Sequence, residues 1–220
     1  MKKTTILATL AAGLVSATAG VRPAAPAPVV RPDPCAGPIS YNNAEFLYAY
    51  TDWDGGGSGD GLIARVEYSA WDNFYVAGGG AYHEAGNVDM WSLSAGAGAY
   101  MALTDNIHLV GEAGVLWTSW DGGDVWVDDG SSGSGGSGGY WDSNEDDEFG
   151  WYARPHMRAR WGCLEVHAGA LYTDVGGDFD DEWSGFVSLY YQVAPGWDVT
   201  AGVTHNSDAT TITGGARYRY

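Results

Sequence analysis

From Tyr41 onward, apolar and polar side chains alternate with a period of two. Leu62, Ala64, Val66, Tyr68 and Ala70 interleave with Ile63, Arg65, Glu67 and Ser69. Trp91, Leu93, Ala95, Ala97, Ala99 and Met101 interleave with Ser92, Ser94, Gly96, Gly98 and Tyr100. The same rhythm runs through Trp151 to Trp161, with Tyr152, Arg154, His156, Arg158 and Arg160 on the polar phase, and through Leu164 to Thr173. A period of two puts successive side chains on opposite faces of a strand. Ten segments follow it, roughly 43–53, 61–71, 74–83, 91–103, 107–118, 149–161, 164–173, 183–193, 197–205 and 210–220. Segment 74–83, with Gly78-Gly79-Gly80, has the weakest register. The lengths cluster near the about 9–11 residues that a tilted strand needs to cross a bilayer, whereas soluble strands run to about 5–6. The pattern predicts an all-β fold: an antiparallel, up-and-down transmembrane β-barrel of about ten strands, with eight as the alternative.

The connections support this reading. Asp72-Asn73, Thr104-Asp105-Asn106, Gly162-Cys163 and Ala194-Pro195-Gly196 are tight turns. Between them, 54–60, 84–90, 119–148, 174–182 and 206–209 are mostly longer and richer in Gly and Asp. Alternating short and long connections are usual in membrane barrels. Tryptophans gather at predicted strand ends. Trp53, Trp91, Trp117, Trp151 and Trp183 sit beside the long connections, and Trp71, Trp161 and Trp197 beside the short ones. Two aromatic rows at the two ends of the strands are what lipid–water interfaces select.

Composition refines the picture at the N-terminus. Lys2 and Lys3, the apolar run Ile6–Val15 and Ala17-Thr18-Ala19 are laid out as a secretory signal peptide over 1–19. Residues 20–40 form a Pro/Ala-rich tail, expected to lie in the periplasm, that favours extended polyproline conformations. The barrel is expected over 41–220. The formal net charge of −18 argues against a nucleic-acid partner, which needs a basic face. Export would put Cys35 and Cys163 in an oxidising compartment, where a disulfide between tail and turn can form.

The chain closes Thr213-Gly214-Gly215-Ala216-Arg217-Tyr218-Arg219-Tyr220. Thr213, Gly215, Tyr218 and Tyr220 resemble the C-terminal assembly signal of bacterial outer-membrane proteins, with Tyr in place of the commoner final Phe. Together with the strands and the Trp rows, this makes residues 41–220 similar to small outer-membrane barrels of the OmpA-like and Opacity-like type. The resemblance implies folding by the outer-membrane assembly machinery. It also implies contact with the lipid bilayer and lipopolysaccharide, with extracellular loops and periplasmic termini.

On this register Glu45, Arg65, Glu67, Glu112, Arg154, Arg158, Arg160, Glu165, His167, Arg217 and Arg219 share the lumenal face. Hairpin geometry is expected to bring Arg158 and Arg160 near Glu165. A barrel of about eight strands is just filled by its own side chains, while aqueous channels appear at about 16–18. A filled lumen is therefore expected over an arginine-lined pore. The segment 119–148 is expected to be a long acidic loop around a Gly/Ser run, and such charge runs are usually solvated. Within it, Asp142, Asn144 and Asp146 are weak Ca²⁺ candidates, because Asp147 stands where a calcium loop of the EF-hand kind needs Gly. No cofactor is implied.

His205-Asn206-Ser207 is similar to the His-x-Ser element of lipid A deacylase barrels, but Asp208 follows where that family has Asn. Asp52-Trp53-Asp54 is similar to the paired aspartates of omptin proteases, without their Asp-x-His partner. The sequence thus points to a non-enzymatic barrel with a structural or surface-interaction role. The alternatives are a small cation-preferring diffusion channel and, more remotely, a lipid A deacylase-like hydrolase.

Overall fold

The computed structural model describes residues 35, 37–54, 57–86, 88–128, 139–176 and 181–220, with side chains described throughout except at 122–128 and 139–146. The signal peptide and most of the tail lie outside the described residues. Among the described residues ten strands run in chain order: β1 (Asn43–Trp53), β2 (Ser58–Trp71), β3 (Phe74–Ala85), β4 (Val88–Thr104), β5 (Ile107–Asp128), β6 (Gly139–Trp161), β7 (Leu164–Val175), β8 (Glu182–Ala194), β9 (Trp197–His205) and β10 (Ala209–Arg219). Each pairs antiparallel with its chain neighbours, and β1 pairs with β10 to close the sheet into a barrel. Closure leaves the barrel wall itself without an exposed sheet edge. Segment 74–83, the weakest in sequence, pairs in continuous register with β4, and with β2 from Tyr75 onward after a register shift between Ser69 and Trp71.

The expectation of a loop over 119–148 is corrected for 119–128 and 139–148, while 129–138 lie outside the described residues. β5 and β6 continue pairing there, from Ser119↔Asp147 to Asp128↔Gly139, with a register shift between Asp121 and Asp124. Backbone hydrogen bonding carries this hairpin past the end of the apolar alternation that marks the barrel wall. The side chains of Asp142, Asn144 and Asp146 lie outside the described set.

The lower end of the barrel, where the tight turns lie, is crossed by the segment before β1. Cys35 is joined to Cys163, in the β6–β7 turn, with a Cα–Cα distance of 4.5 Å. From that tether the chain runs to Ile39 and Tyr41, which are buried with Tyr75, Ala77 and Val110. The Tyr41 ring stacks on Tyr100 at 4.1 Å, and its hydroxyl shares a 3.1 Å hydrogen bond with His108 Nδ1. An apolar and aromatic strap therefore sits in the lower mouth. It needs lumenal space, and glycine supplies some of it. A Cβ at Gly98 would collide with the Tyr75 ring.

Candidate functional site

The lumenal face of the strands carries two ion-pair clusters. The first is centred on Glu67 and Glu112. Arg158 donates to both oxygens of Glu67, Nη2 to Oε1 at 2.7 Å and Nη1 to Oε2 at 2.9 Å. Asn43 donates to Oε2 at 2.9 Å. Arg65 bridges to Glu112 at 2.5 Å. The Tyr75 and Tyr152 hydroxyls also donate to Glu112, at 2.7 and 3.0 Å. The Arg158 guanidinium lies over the Tyr41 ring at 4.5 Å and donates to His156 Nε2 at 3.1 Å. Arg158 is fully buried. Its planar fork satisfies a carboxylate bidentately and still stacks on an aromatic face.

The second cluster joins Glu165 and Asp198. Arg217 donates to Glu165 and to Asp198 at 2.8 Å each, Arg219 to Asp198 at 2.9 Å, and His167 Nε2 lies 2.7 Å from Glu165 Oε1. Arg160 stands 3.5 Å from Glu165 and donates to Gln192 at 2.7 Å. The Arg217 guanidinium lies over Tyr190 at 3.8 Å. Of Arg158 and Arg160, both expected near Glu165, not both form an ion pair with it. Only Arg160 does; Arg158 reaches across the lumen to Glu67, because closure brings β2 opposite β6.

Two charged groups higher in the lumen, Arg154 and Glu45, stand apart from these clusters. Arg154 has no carboxylate within 4 Å among the described residues, and it lies over the Phe186 ring at 4.4 Å. Glu45 has a buried Oε1 with no hydrogen-bond partner among them. Both line a lumenal cavity of about 330 Å³ above the clusters, on the side of the long hairpin.

The outer face is the chemical opposite. Val115, Leu189, Val199 and Ile212, mid-wall residues on four strands, are exposed, whereas Arg158, Glu165 and Arg217 are buried. A water-soluble fold of this size would bury the first set and expose the second. Apolar outside and charged inside fits hydrocarbon around the barrel. The chain folds as a transmembrane-type β-barrel. Leu189→Arg, on the outer face midway along β8, is accordingly expected to cost about 2–4 kcal/mol in a bilayer. Urea titration of the barrel in vesicles measures this, and a change within about 1 kcal/mol would contradict a lipid-facing wall there.

Trp71, Trp91, Trp151, Trp161, Trp183 and Trp197 are exposed on that outer face, and Trp117 is half-buried on it. Trp53 is a correction. It shares odd parity with Glu45 and Thr51 on β1, and its ring stands 3.0 Å from where a Cβ at Gly59 would lie, on the lumenal side. In the terminal strand Thr213 and Gly215 face inward with Arg217, while Tyr218 is exposed outside, 4.9 Å from Trp197. The Tyr220 hydroxyl donates to the Glu67 carbonyl at 3.1 Å. At the β9–β10 turn, His205 Nδ1 is hydrogen-bonded to Thr210 at 3.0 Å rather than to Ser207, and Asn206 closes the turn on the Asp208 and Ala209 amides. No group of three His, Cys, Asp or Glu side chains suited to a metal ion occurs among the described residues.

No family model matches the chain, and no curated protein matches it. Similar solved structures include the KdgM porin in complex with disordered oligogalacturonate (10% identity, 81% of this chain and 99% of that one, TM-score 0.42). The N-terminal β-barrel domain of Pseudomonas aeruginosa OprF is another (8% identity, 81% and 98%, TM-score 0.42). A third is Ail, the attachment invasion locus protein of Yersinia pestis, in complex with the heparin analogue sucrose octasulfate (14% identity, 82% and 100%, TM-score 0.37). At such identities and scores the likeness carries no inference; the barrel topology and the chemistry of its two faces do.

Several residues of the two clusters lie outside the lumenal set that the sequence singles out. Asp198, Asn43, Gln192 and the tyrosines 41, 75, 152 and 190 complete the clusters. For Asp198 the signal was available: it is a carboxylate on the polar phase of segment 197–205.

Proposed function

We propose that the chain is an exported, non-enzymatic outer-membrane barrel with a closed lumen and a structural or surface-interaction role, exercised through the acidic β5–β6 hairpin. The observation that carries this reading is the lumen itself. Buried arginines and carboxylates pair across it, and the Ile39–Tyr41 strap lies beneath them. Paired charges that stack on aromatic rings are a filling, since little solvated space is left between them. Among the described residues the lumen carries Arg65, Arg154, Arg158, Arg160, Arg217 and Arg219 against Glu45, Glu67, Glu112, Glu165 and Asp198. It is therefore close to neutral, and the strong acidity of the chain belongs to its rims and hairpins.

In this reading the signal peptide directs export and the terminal strand is recognised by the assembly machinery. Lipopolysaccharide and lipid surround the wall, the hairpin end faces outward and the termini lie in the periplasm. An epitope inserted at Gly135, between β5 and β6, is expected to bind antibody on intact cells. The same epitope between Asp72 and Asn73 is expected to bind only after permeabilisation. The reverse pattern would overturn the orientation.

A further inference from the structure

We infer that the cavity above the lumenal ion pairs is a binding seat for a small zwitterion with an apolar side chain, of the amino-acid type. The inference does not depend on whether ions pass the lumen. It rests on two charged groups that line this cavity outside the clusters. Arg154 and Glu45 face the same cavity and do not pair within 4 Å. Their neighbours do pair: Arg65 is held by Glu112, and Arg217 by Glu165 and Asp198. Burying a charged group without a partner is costly, and it is compensated when an opposite charge with hydrogen bonds arrives.

Arg154 offers a guanidinium fork already oriented on the Phe186 ring, the geometry suited to a carboxylate. Glu45 offers a buried oxygen with no donor, suited to an ammonium group. A ligand bearing only a carboxylate would meet repulsion from Glu45; one bearing only an amine would meet repulsion from Arg154. A zwitterion answers both. The rest of the wall is mixed: Leu47, Ile63, Leu116 and Leu171 offer apolar surface for a side chain, serines and threonines stand between them, and Arg65 and Tyr152 on the same wall are both held by Glu112. The about 330 Å³ of space suits one amino acid and reaches the low end of usual ligand pockets.

The test is isothermal titration of free leucine into the protein refolded in detergent, alongside N-acetyl-leucine, which lacks the ammonium group, and leucinamide, which lacks the carboxylate. Saturable leucine binding is expected, with each blocked analogue weaker by about tenfold or more, the size of one lost charge-assisted hydrogen bond. Arg154→Gln is expected to weaken leucine by a similar factor and to strengthen leucinamide, which no longer meets the Arg154 charge. No saturable binding of leucine would overturn the proposal: the seat would then hold water only. Equal binding of all three compounds would also overturn it, as partition into the micelle. The analogue comparison on the unaltered protein decides the matter even if Arg154→Gln fails to fold.

Discussion

Glu67→Ala is expected to lower the stability of the barrel by about 3–5 kcal/mol, the cost of leaving a buried charge without its partner. Arg158 has no solvent to turn to: its side chain is 0% exposed and both of its terminal nitrogens are committed to Glu67. Removing the carboxylate leaves the guanidinium against Tyr41, Tyr75 and His156, none of which carries a compensating negative charge at neutral pH. Asn43 and Arg65 lose an acceptor in the same step. The double replacement Glu67→Leu with Arg158→Leu removes both charges together and is expected to restore most of the loss, since well-packed apolar pairs often equal buried ion pairs. Urea unfolding of the three proteins in detergent measures the difference. A loss below about 1 kcal/mol for Glu67→Ala would mean that the pair behaves as a solvated one.

The second large effect concerns the tether. Replacing Cys35 and Cys163 together by serine is expected to cost about 2–4 kcal/mol, because the bridge restricts a long loop in the unfolded chain. The two cysteines are 128 residues apart in sequence. Beyond this, the tether fixes the start of the strap that places Ile39 and Tyr41 against Tyr75, Tyr100 and Val110. Loss of the bridge should therefore raise proteolysis between residues 35 and 42 while the strands stay protected. Unfolding curves and limited proteolysis under oxidising and reducing conditions check both parts. Unchanged stability with an unchanged cleavage pattern would mean that the strap is held by its side chains alone.

The strand ladder was legible in the sequence because its period is set by the backbone. Alternation placed the core of every strand, and β1 and β9 to the residue. It failed where pairing continues without alternation. The Gly- and Asp-rich stretches beyond Thr118 and before Phe149 give no apolar phase to read, yet they extend β5 and β6. Trp53 was misread because its residue type outweighed its parity, which it shares with Glu45. The membership of the charge network was largely legible, since polar residues on one phase must share the lumen. Its pairing was not. Glu67 and Arg158 are 91 residues apart and meet only when the sheet closes, a long-range event that local patterning does not encode. Tyr41 was invisible for a related reason: it precedes β1 and enters the lumen only because its segment crosses the mouth towards Cys163.

The central claim, a lumen filled by its own paired charges and closed below by the strap, is tested most directly by single-channel recording of the refolded protein in a planar bilayer. The account predicts an inserted barrel that gives no steady openings. Steady openings whose conductance scales with salt would contradict it and make the chain a small diffusion channel.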